Sequence, residues 1–408
     1  MDEELILSED GKAVVGETGR SLGHVTIPEG VTGIGENAFR NSLYLALIDI
    51  PDGVTSIGAG AFSNCKFLRS IVIPEGVTCI ENFTFMDCES LQSVIIPNSV
   101  TAIGNQAFCG CVSLQRIDFP DSVTYIGDGA LDGTAWYAEQ PDGLIYANNV
   151  LYKQKGEPKD NSIAIREGTV SISPSALSDC TSLQSIIIPD SVKEIGVNAF
   201  YGCTSLRNID IPKSVKRIEY GAFASCTSLQ SIVLPEDVII VSDAFEGCTS
   251  LQSIDFPVRV SGICAGAFEG TKWLDDQQDN LIYINNALYQ QKEEFNDDVI
   301  NVREGTFCIS PYALSGCTSL QSIIIPDSVK EIGTGAFYYC TSLKEIHMRN
   351  RNPHEIEMKV YDPSIGEVVP TFEGLYDDST LFVPPGTVDL YRKHPVFGKF
   401  EHIEEDNR

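Results

Sequence analysis

Thirteen cysteines and five histidines are the side chains best suited to metal ligation or nucleophilic work in this 408-residue chain, and their spacing argues against both. Nine cysteines (Cys65, Cys88, Cys111, Cys180, Cys203, Cys226, Cys248, Cys317 and Cys340) recur in one slot of a repeat, while Cys79, Cys109, Cys264 and Cys308 fall outside it. No C-x-x-C pair occurs, and Cys109-x-Cys111 has no second pair or histidine nearby, so zinc has no ligand set. A column of equivalent cysteines places neighbours about 4.8 Å apart with parallel side-chain vectors, poor geometry for disulfides. Free, buried thiols acting as small apolar plugs are expected instead.

The histidines (His24, His347, His354, His394 and His402) are scattered, and none sits in an H-E-x-x-H spacing. There is no G-x-S-x-G elbow and no Walker-type loop. The glycine of the frequent Ile-Gly-x-x-Ala-Phe run is assigned to a tight turn, with no phosphate needed. No carboxylate pair is singled out by an apolar setting, so the chain reads as non-enzymatic and no cofactor or metal is expected.

The element that carries these residues is a 23-residue unit, visible in Pro28, Pro51, Pro74, Pro97 and Pro120, then Pro189, Pro212 and Pro235. In Leu91-Gln-Ser-Val94-Ile-Ile96-Pro97 the spacing L-x-x-I-x-I places the last two aliphatics on one side of a strand. The proline then removes a ladder donor and ends it. The second half, Val31-x-x-Ile34-x-x-x-Ala38-Phe39, suits a turn, a short extended piece and a helical turn folding back over the strand. One such coil buries too little to offset its backbone entropy, so it must stack on copies of itself. A mainly β repeat solenoid follows, one continuous array spanning residues 21–349.

The interruptions keep count. Pro120 to Pro189 and Pro257 to Pro326 each span three whole periods. In each gap arginine takes the proline slot, at Ile163-Ala-Ile165-Arg166 and Ile300-Asn-Val302-Arg303. Each gap also holds a tryptophan and two β-prone runs joined by Asn-Asn, read as hairpin insertions near 134–157 and 271–294, since asparagine tolerates positive φ. The two insertions are copies of one another at a constant offset, Trp136 matching Trp273 and Asn148 matching Asn285. The open ends need covers. Residues 1–20, with an Asp-Gly turn, are expected to form a capping hairpin, and residues 350–408 a C-terminal cap in which Leu381-Phe-Val383-Pro384 restates the strand rule.

The consensus C-T-S-L-x-S-I-x-I-P-x-S-V-x-x-I-G-x-x-A-F, present almost letter for letter as Cys317 to Phe337, resembles the BspA-like leucine-rich repeats of bacterial surface proteins. Thr380-Leu-Phe-Val-Pro384, with Tyr391 and Pro395-x-Phe-x-x-Phe400, is similar to the unit that often closes such arrays. The resemblance implies a curved right-handed solenoid with a parallel sheet on its concave face, and adhesion or protein binding at a cell surface. It carries no catalytic residues to transfer.

Lys and Arg total 28 against 57 Asp and Glu, a net charge of −29, which disfavours nucleic acid and anionic membranes as partners. No apolar run is long enough for a transmembrane helix. Met1-Asp-Glu-Glu lacks the basic start and apolar stretch of an export signal. The expected location is therefore the cell surface or exterior if a signal has been trimmed, and the cytoplasm otherwise.

Two surfaces remain for recognition, on a chain expected to be monomeric. The outward residue of each strand on the concave face gives Asp49, Val72, Ile95, Asp118, Ile187, Asp210, Val233, Asp255, Ile324 and His347, with the aspartates too dispersed for one calcium site. His347 is expected at an outward position, open to solvent or a ligand. The hairpin aromatics Trp136, Tyr146, Trp273 and Tyr283 form the second surface, able to stack on a sugar, anchor a protein, or pack the hairpin against its neighbouring coil. The expected function is a binding scaffold for a protein or glycan partner; the alternative is a structural or intracellular assembly protein without a dedicated ligand site.

Overall fold

The structure, a computed structural model, describes residues 5–18, 23–258, 260, 262–292, 297–358, 361–362, 367–368 and 370–407. Residues 1–4, 19–20, 359–360, 363–366, 369 and 408 of the expected caps and 293–294 of the second insertion lie outside the described residues. The chain divides into two compact units, Met1–Ser178 with Ser191–Ala199, and Asp179–Asp190 with Phe200–Arg408.

In the first unit each 23-residue rung contributes two strands. The longer ones stack in parallel one period apart, as Ser70↔Ser93, Ile71↔Val94 and Val72↔Ile95. The two-residue strands Cys79–Ile80, Ala102–Ile103 and Tyr125–Ile126 pair in the same step. A third ladder runs through the turns: the Phe39 N–H donates to the Ala61 carbonyl at 2.8 Å, Phe62 to Thr84 at 2.9 Å and Phe85 to Ala107 at 2.8 Å. Because equivalent residues coincide, the rings of Phe39, Phe62, Phe85 and Phe108 stack at 5.3–5.4 Å inside the core. The period in the sequence is thus the register of three ladders at once.

The glycine after the short strand has a different reason from the expected tight turn. Gly58, Gly104 and Gly127 do not have positive φ; a Cβ there would lie 2.5–2.6 Å from the backbone nitrogen of Glu36, Asn82 or Asn105 in the preceding rung. Positive φ falls further along, at Asn37, Gly60, Phe83 and Gln106 and again at Asn41, Asn64, Asp87 and Gly110. The glycine is selected by close approach of rungs, and the turns are made largely by other residue types.

None of the thirteen cysteines is in a disulfide, and the nine in the repeat slot are buried. They do more than fill space. The Cys65 thiol donates to the Phe39 carbonyl at 3.1 Å, Cys88 to Phe62 at 3.2 Å and Cys111 to Phe85 at 3.0 Å, each adding a second bond to a carbonyl one rung back that already accepts from a backbone N–H.

The inserted hairpin Gly143–Ala147 and Val150–Lys155 turns at Asn148, with φ 51°. It does not protrude: its second strand joins the short-strand ladder, Val150↔Ser171 and Leu151↔Ile172. The N-terminal hairpin, Leu5–Leu7 with Ala13–Glu17, enters in the same manner through Ala13↔Gly33 and Val14↔Ile34. The hairpin rung lacks the turn whose carbonyl would accept from the rung before, and a side chain replaces it. Tyr152 Oη accepts from the Leu131 N–H at 3.0 Å and donates to Asp132 at 2.7 Å.

The second unit repeats the scheme. The longer strands Asn208–Asp210, Ser231–Val233 and Ser253–Asp255 pair in parallel, and the hairpin Leu281–Ile284 with Ala287–Gln291 joins through Ala287↔Cys308. Tyr289 Oη accepts from the Phe268 N–H at 3.2 Å, and Gln290 accepts from the Gly266 N–H at 2.7 Å. At the C-terminal end the ladder outlasts the sequence period: Glu345–Met348 pairs with Thr380–Val383, which pairs with His402–Glu405. Phe372 stacks on Phe337 at 5.1 Å, taking the ring position of a further rung, and the helix Val388–Arg392 buries Tyr391, whose hydroxyl donates to the Asn350 carbonyl at 2.6 Å.

Candidate interaction surface

Strand alternation decides which side chains leave the core. In the first unit Val72 and Ile95 are neighbours in the ladder and are 58% and 60% exposed, with Asp49 and Asp118 exposed on the flanking rungs. Asp49 is engaged by His24, whose Nε2 lies 2.7 Å from its carboxylate. In the second unit Ile187 and Val233 are 64% and 58% exposed, and Asp210 and Asp255 stand exposed on either side of Val233. These β-branched side chains gain nothing from the core, and the sheet they stand on is held by the opposite face. Ile324 is half-buried, nearer the C-terminal end of the same kind of ladder.

His347 departs from the expected open position, being 1% exposed. The extra strands Thr380–Val383 and His402–Glu405 extend the sheet beside it, and Phe382 stacks on the imidazole at 4.6 Å. Its Nδ1 lies 2.6 Å from Asp406, which also takes Arg349 at 3.0 Å, and its Nε2 lies 3.3 Å from Glu345. His347 is therefore part of the joint that holds the last strand, not of the open face.

The hairpin aromatics are also engaged within the protein. Trp136 meets Phe119 edge-on at 5.5 Å, and Trp273 packs against Phe256, Phe268 and Tyr289. Tyr146 carries the Arg166 guanidinium 4.3 Å from its ring centre and accepts from the Arg166 backbone N–H at 2.9 Å; the Arg166 side chain also donates to the Asn148 carbonyl at the turn. Tyr283 repeats this with Arg303, at 4.4 Å and 3.1 Å, and Arg303 donates to the Asn285 carbonyl at 2.8 Å. The arginine in the proline slot is thus a clamp on the hairpin turn. Sequence reading found the substitution and missed its purpose, because the tyrosine it grips belongs to the inserted hairpin and has no counterpart in a regular rung.

Thiol chemistry is suppressed at Cys65 and Cys79. Burial, with the neighbouring Cys88 second, pushes the Cys65 thiol far above its ordinary range, and burial with Glu81 beside it takes Cys79 up to about 12. A thiol held protonated is neither a nucleophile nor a metal ligand. Among the described residues no group of three or more His, Cys, Asp or Glu side chains could hold a metal ion, and no helix is long and apolar enough to cross a membrane.

Short parallel strands, a buried leucine, isoleucine and phenylalanine column and a fixed rung length define a mainly β leucine-rich repeat solenoid. The chain belongs to the BspA type leucine-rich repeat family: residues 18–135, 155–275 and 276–364 match the BspA type leucine-rich repeat region (6 copies), and the first break falls on the hairpin insertion. Similar solved structures include a leucine-rich repeat protein from Bacteroides ovatus ATCC 8483, 19% identical, covering 99% of this chain and 90% of that one with a TM-score of 0.27. Another is a leucine rich cell surface protein from Faecalibacterium prausnitzii A2-165, 26% identical, covering 92% and 98%, TM-score 0.25. A third is a leucine-rich repeat protein from Eubacterium ventriosum ATCC 27560, 22% identical, covering 61% and 83%, TM-score 0.29. No curated protein matches the chain.

Proposed function

We propose that this protein is a non-enzymatic binding scaffold, displayed at a cell surface, that holds a protein or glycan partner on the solvent side of its longer-strand sheet. The observation that carries the reading is the pair Val72 and Ile95: adjacent in the ladder, more than half exposed, and flanked by Asp49 and Asp118. The same mixture of exposed β-branched and acidic residues recurs in the second unit at Ile187, Asp210, Val233 and Asp255. A rigid sheet with fixed side-chain spacing binds at low entropic cost, because its contact residues are ordered beforehand. The family's membership among bacterial surface-type repeat proteins supports the location.

Glycan-array and pull-down screens with the folded chain test the binding claim, and silence in both counts against it. For any partner found, Ile95→Arg combined with Ile187→Arg is expected to weaken binding at least tenfold while leaving the melting temperature within a degree or two, since neither side chain packs in the core. Unaltered affinity would remove the sheet face as the site.

A further inference from the structure

The repeat supplies an internal control for its exposed positions. In six rungs the two residues between the cysteine and the buried leucine are Thr-Ser, from Thr181-Ser182 to Thr341-Ser342, so a stable rung needs nothing larger there. Glu89-Ser90 and Val112-Ser113 change the first residue and keep the serine; two adjacent rungs replace the serine with an aromatic, in Leu43-Tyr44 and Lys66-Phe67. Tyr44 is 63% exposed, Phe67 57% and Leu43 46%; Leu47, 44% exposed, occupies the strand position that is serine at Ser70 and Ser93. Equivalent residues on adjacent rungs lie about 4.8 Å apart, so Tyr44 and Phe67 stand side by side on one edge, with Leu43 and Leu47 on the rung of Tyr44. Among the described residues neither ring stacks on another aromatic. Four large apolar groups on two adjacent rungs, where the same slots elsewhere hold only single exposed valines at Val112 and Val299, mark a contact surface rather than scattered exposure.

Charge narrows the partner. The whole chain carries −29, yet the stretch from Arg40 to Arg69 holds three cations, Arg40, Lys66 and Arg69, and two carboxylates, Asp49 and Asp52, of which Asp49 is taken by His24. Lys66 pairs with Glu89 at 2.8 Å, whereas Arg40 and Arg69 are exposed and have no ion pair among the described residues. We propose that this edge docks an extended segment of a protein partner in which aromatic or aliphatic side chains alternate with carboxylates. The apolar side chains enter beside Tyr44, Leu47 and Phe67, and a carboxylate between them meets Arg69. The edge adjoins the sheet face proposed above, since Leu47 and Asp49 point to the same side of one strand, and the aromatic substitutions at Tyr44 and Phe67, which lie off that strand, test it on its own.

The test uses the full chain and two synthetic fluorescent peptides, one alternating Phe with Glu and one alternating Phe with Lys, read by anisotropy at about 0.15 M salt. The protein's overall field repels the acidic peptide and attracts the basic one, so a preference for the acidic peptide requires a local site. At least tenfold tighter binding of the Phe/Glu peptide is expected. Tyr44→Ser with Phe67→Ser, which restores the serine other rungs carry and so keeps the fold, is expected to lose that binding tenfold or more, and Ile95→Arg to leave it unchanged. Tighter binding of the Phe/Lys peptide, equal affinities, or full binding by the double-serine variant would overturn the proposal. So would self-association in sedimentation that the double-serine variant abolishes, or glycan binding lost in that variant, since either would assign the edge to a different occupant.

Discussion

Arg166 holds its guanidinium 4.3 Å from the ring centre of Tyr146 while its own backbone N–H donates to that tyrosine's hydroxyl at 2.9 Å. One residue thereby grips the ring by its face and by its edge, and reaches on to the carbonyl of Asn148 at the tip of the hairpin. Proline could make none of these contacts. The regular rung uses proline to end a strand; the rung after a hairpin must also hold the turn beside it, and arginine is the residue that serves both needs.

Restoring the proline of the regular rungs at this slot is therefore expected to destabilise the protein. Arg166→Pro removes a cation–π contact, a backbone donor and a side-chain hydrogen bond at once, for a cost of about 2 kcal/mol, whereas Arg166→Ala keeps the backbone donor and costs about 1 kcal/mol. Arg303→Pro should behave alike at the second hairpin. Hydrogen exchange of the amides in Gly143–Ala147 and Val150–Lys155 reads the local loss; unchanged protection in Arg166→Pro would show that the clamp is ornamental.

The fold was legible because a stacked array writes its register into its period: Pro74 and Pro97 sit one rung apart in sequence since Ile71 and Val94 pair in the ladder. What escaped were relationships that repetition does not encode. The Gly58 position recurs like any other, but its reason, a backbone nitrogen 2.5 Å from where a Cβ would sit, belongs to the neighbouring rung. Phe83, Gln106 and Tyr312 adopt positive φ against their own preference, about 1–2 kcal/mol each, because the ladders on either side fix the chain there. His347 obeyed the outward rule by its strand position and is nonetheless buried, because its partner Asp406 arrives far along the chain, beyond the point where the period fades. The outward row from Asp49 to Asp255 was legible in full, since alternation needs only one strand to be read correctly.

Tyr152 offers a sharper test of how the hairpins are joined to the array. Its hydroxyl stands where the next rung's carbonyl would be, accepting from the buried Leu131 N–H, and burial, then the adjacent Asp132, push its ionisation far above the ordinary range. Tyr152→Phe keeps the ring and its edge-on contact with Tyr137 at 5.9 Å but leaves that N–H without an acceptor. An unsatisfied buried donor costs about 1–3 kcal/mol. The Leu131 amide is expected to exchange faster by at least tenfold, with the Phe39 and Phe62 amides, several rungs away, unaffected; equal protection at Leu131 would mean that another group takes the bond.

Acidification should loosen the C-terminal cap through His394. Its Nδ1 accepts from the backbone N–H groups of Val396 and Phe397 at 3.3 Å each, its ring lies 4.9 Å from Phe397, and little of it meets solvent. Burial first, and the facing His354 ring second, hold its pKa below the ordinary histidine value of about 6.5. The unfolded chain therefore takes up the proton first. Stability is complete above about pH 6.5 and falls with pH from there down through the folded-state value, below which no more is lost. His394→Asn places an oxygen where Nδ1 stood and cannot titrate. Its melting temperature is expected to change less than the wild type's between pH 7 and pH 5, and superimposable pH profiles for the two proteins would remove His394 from the acid response.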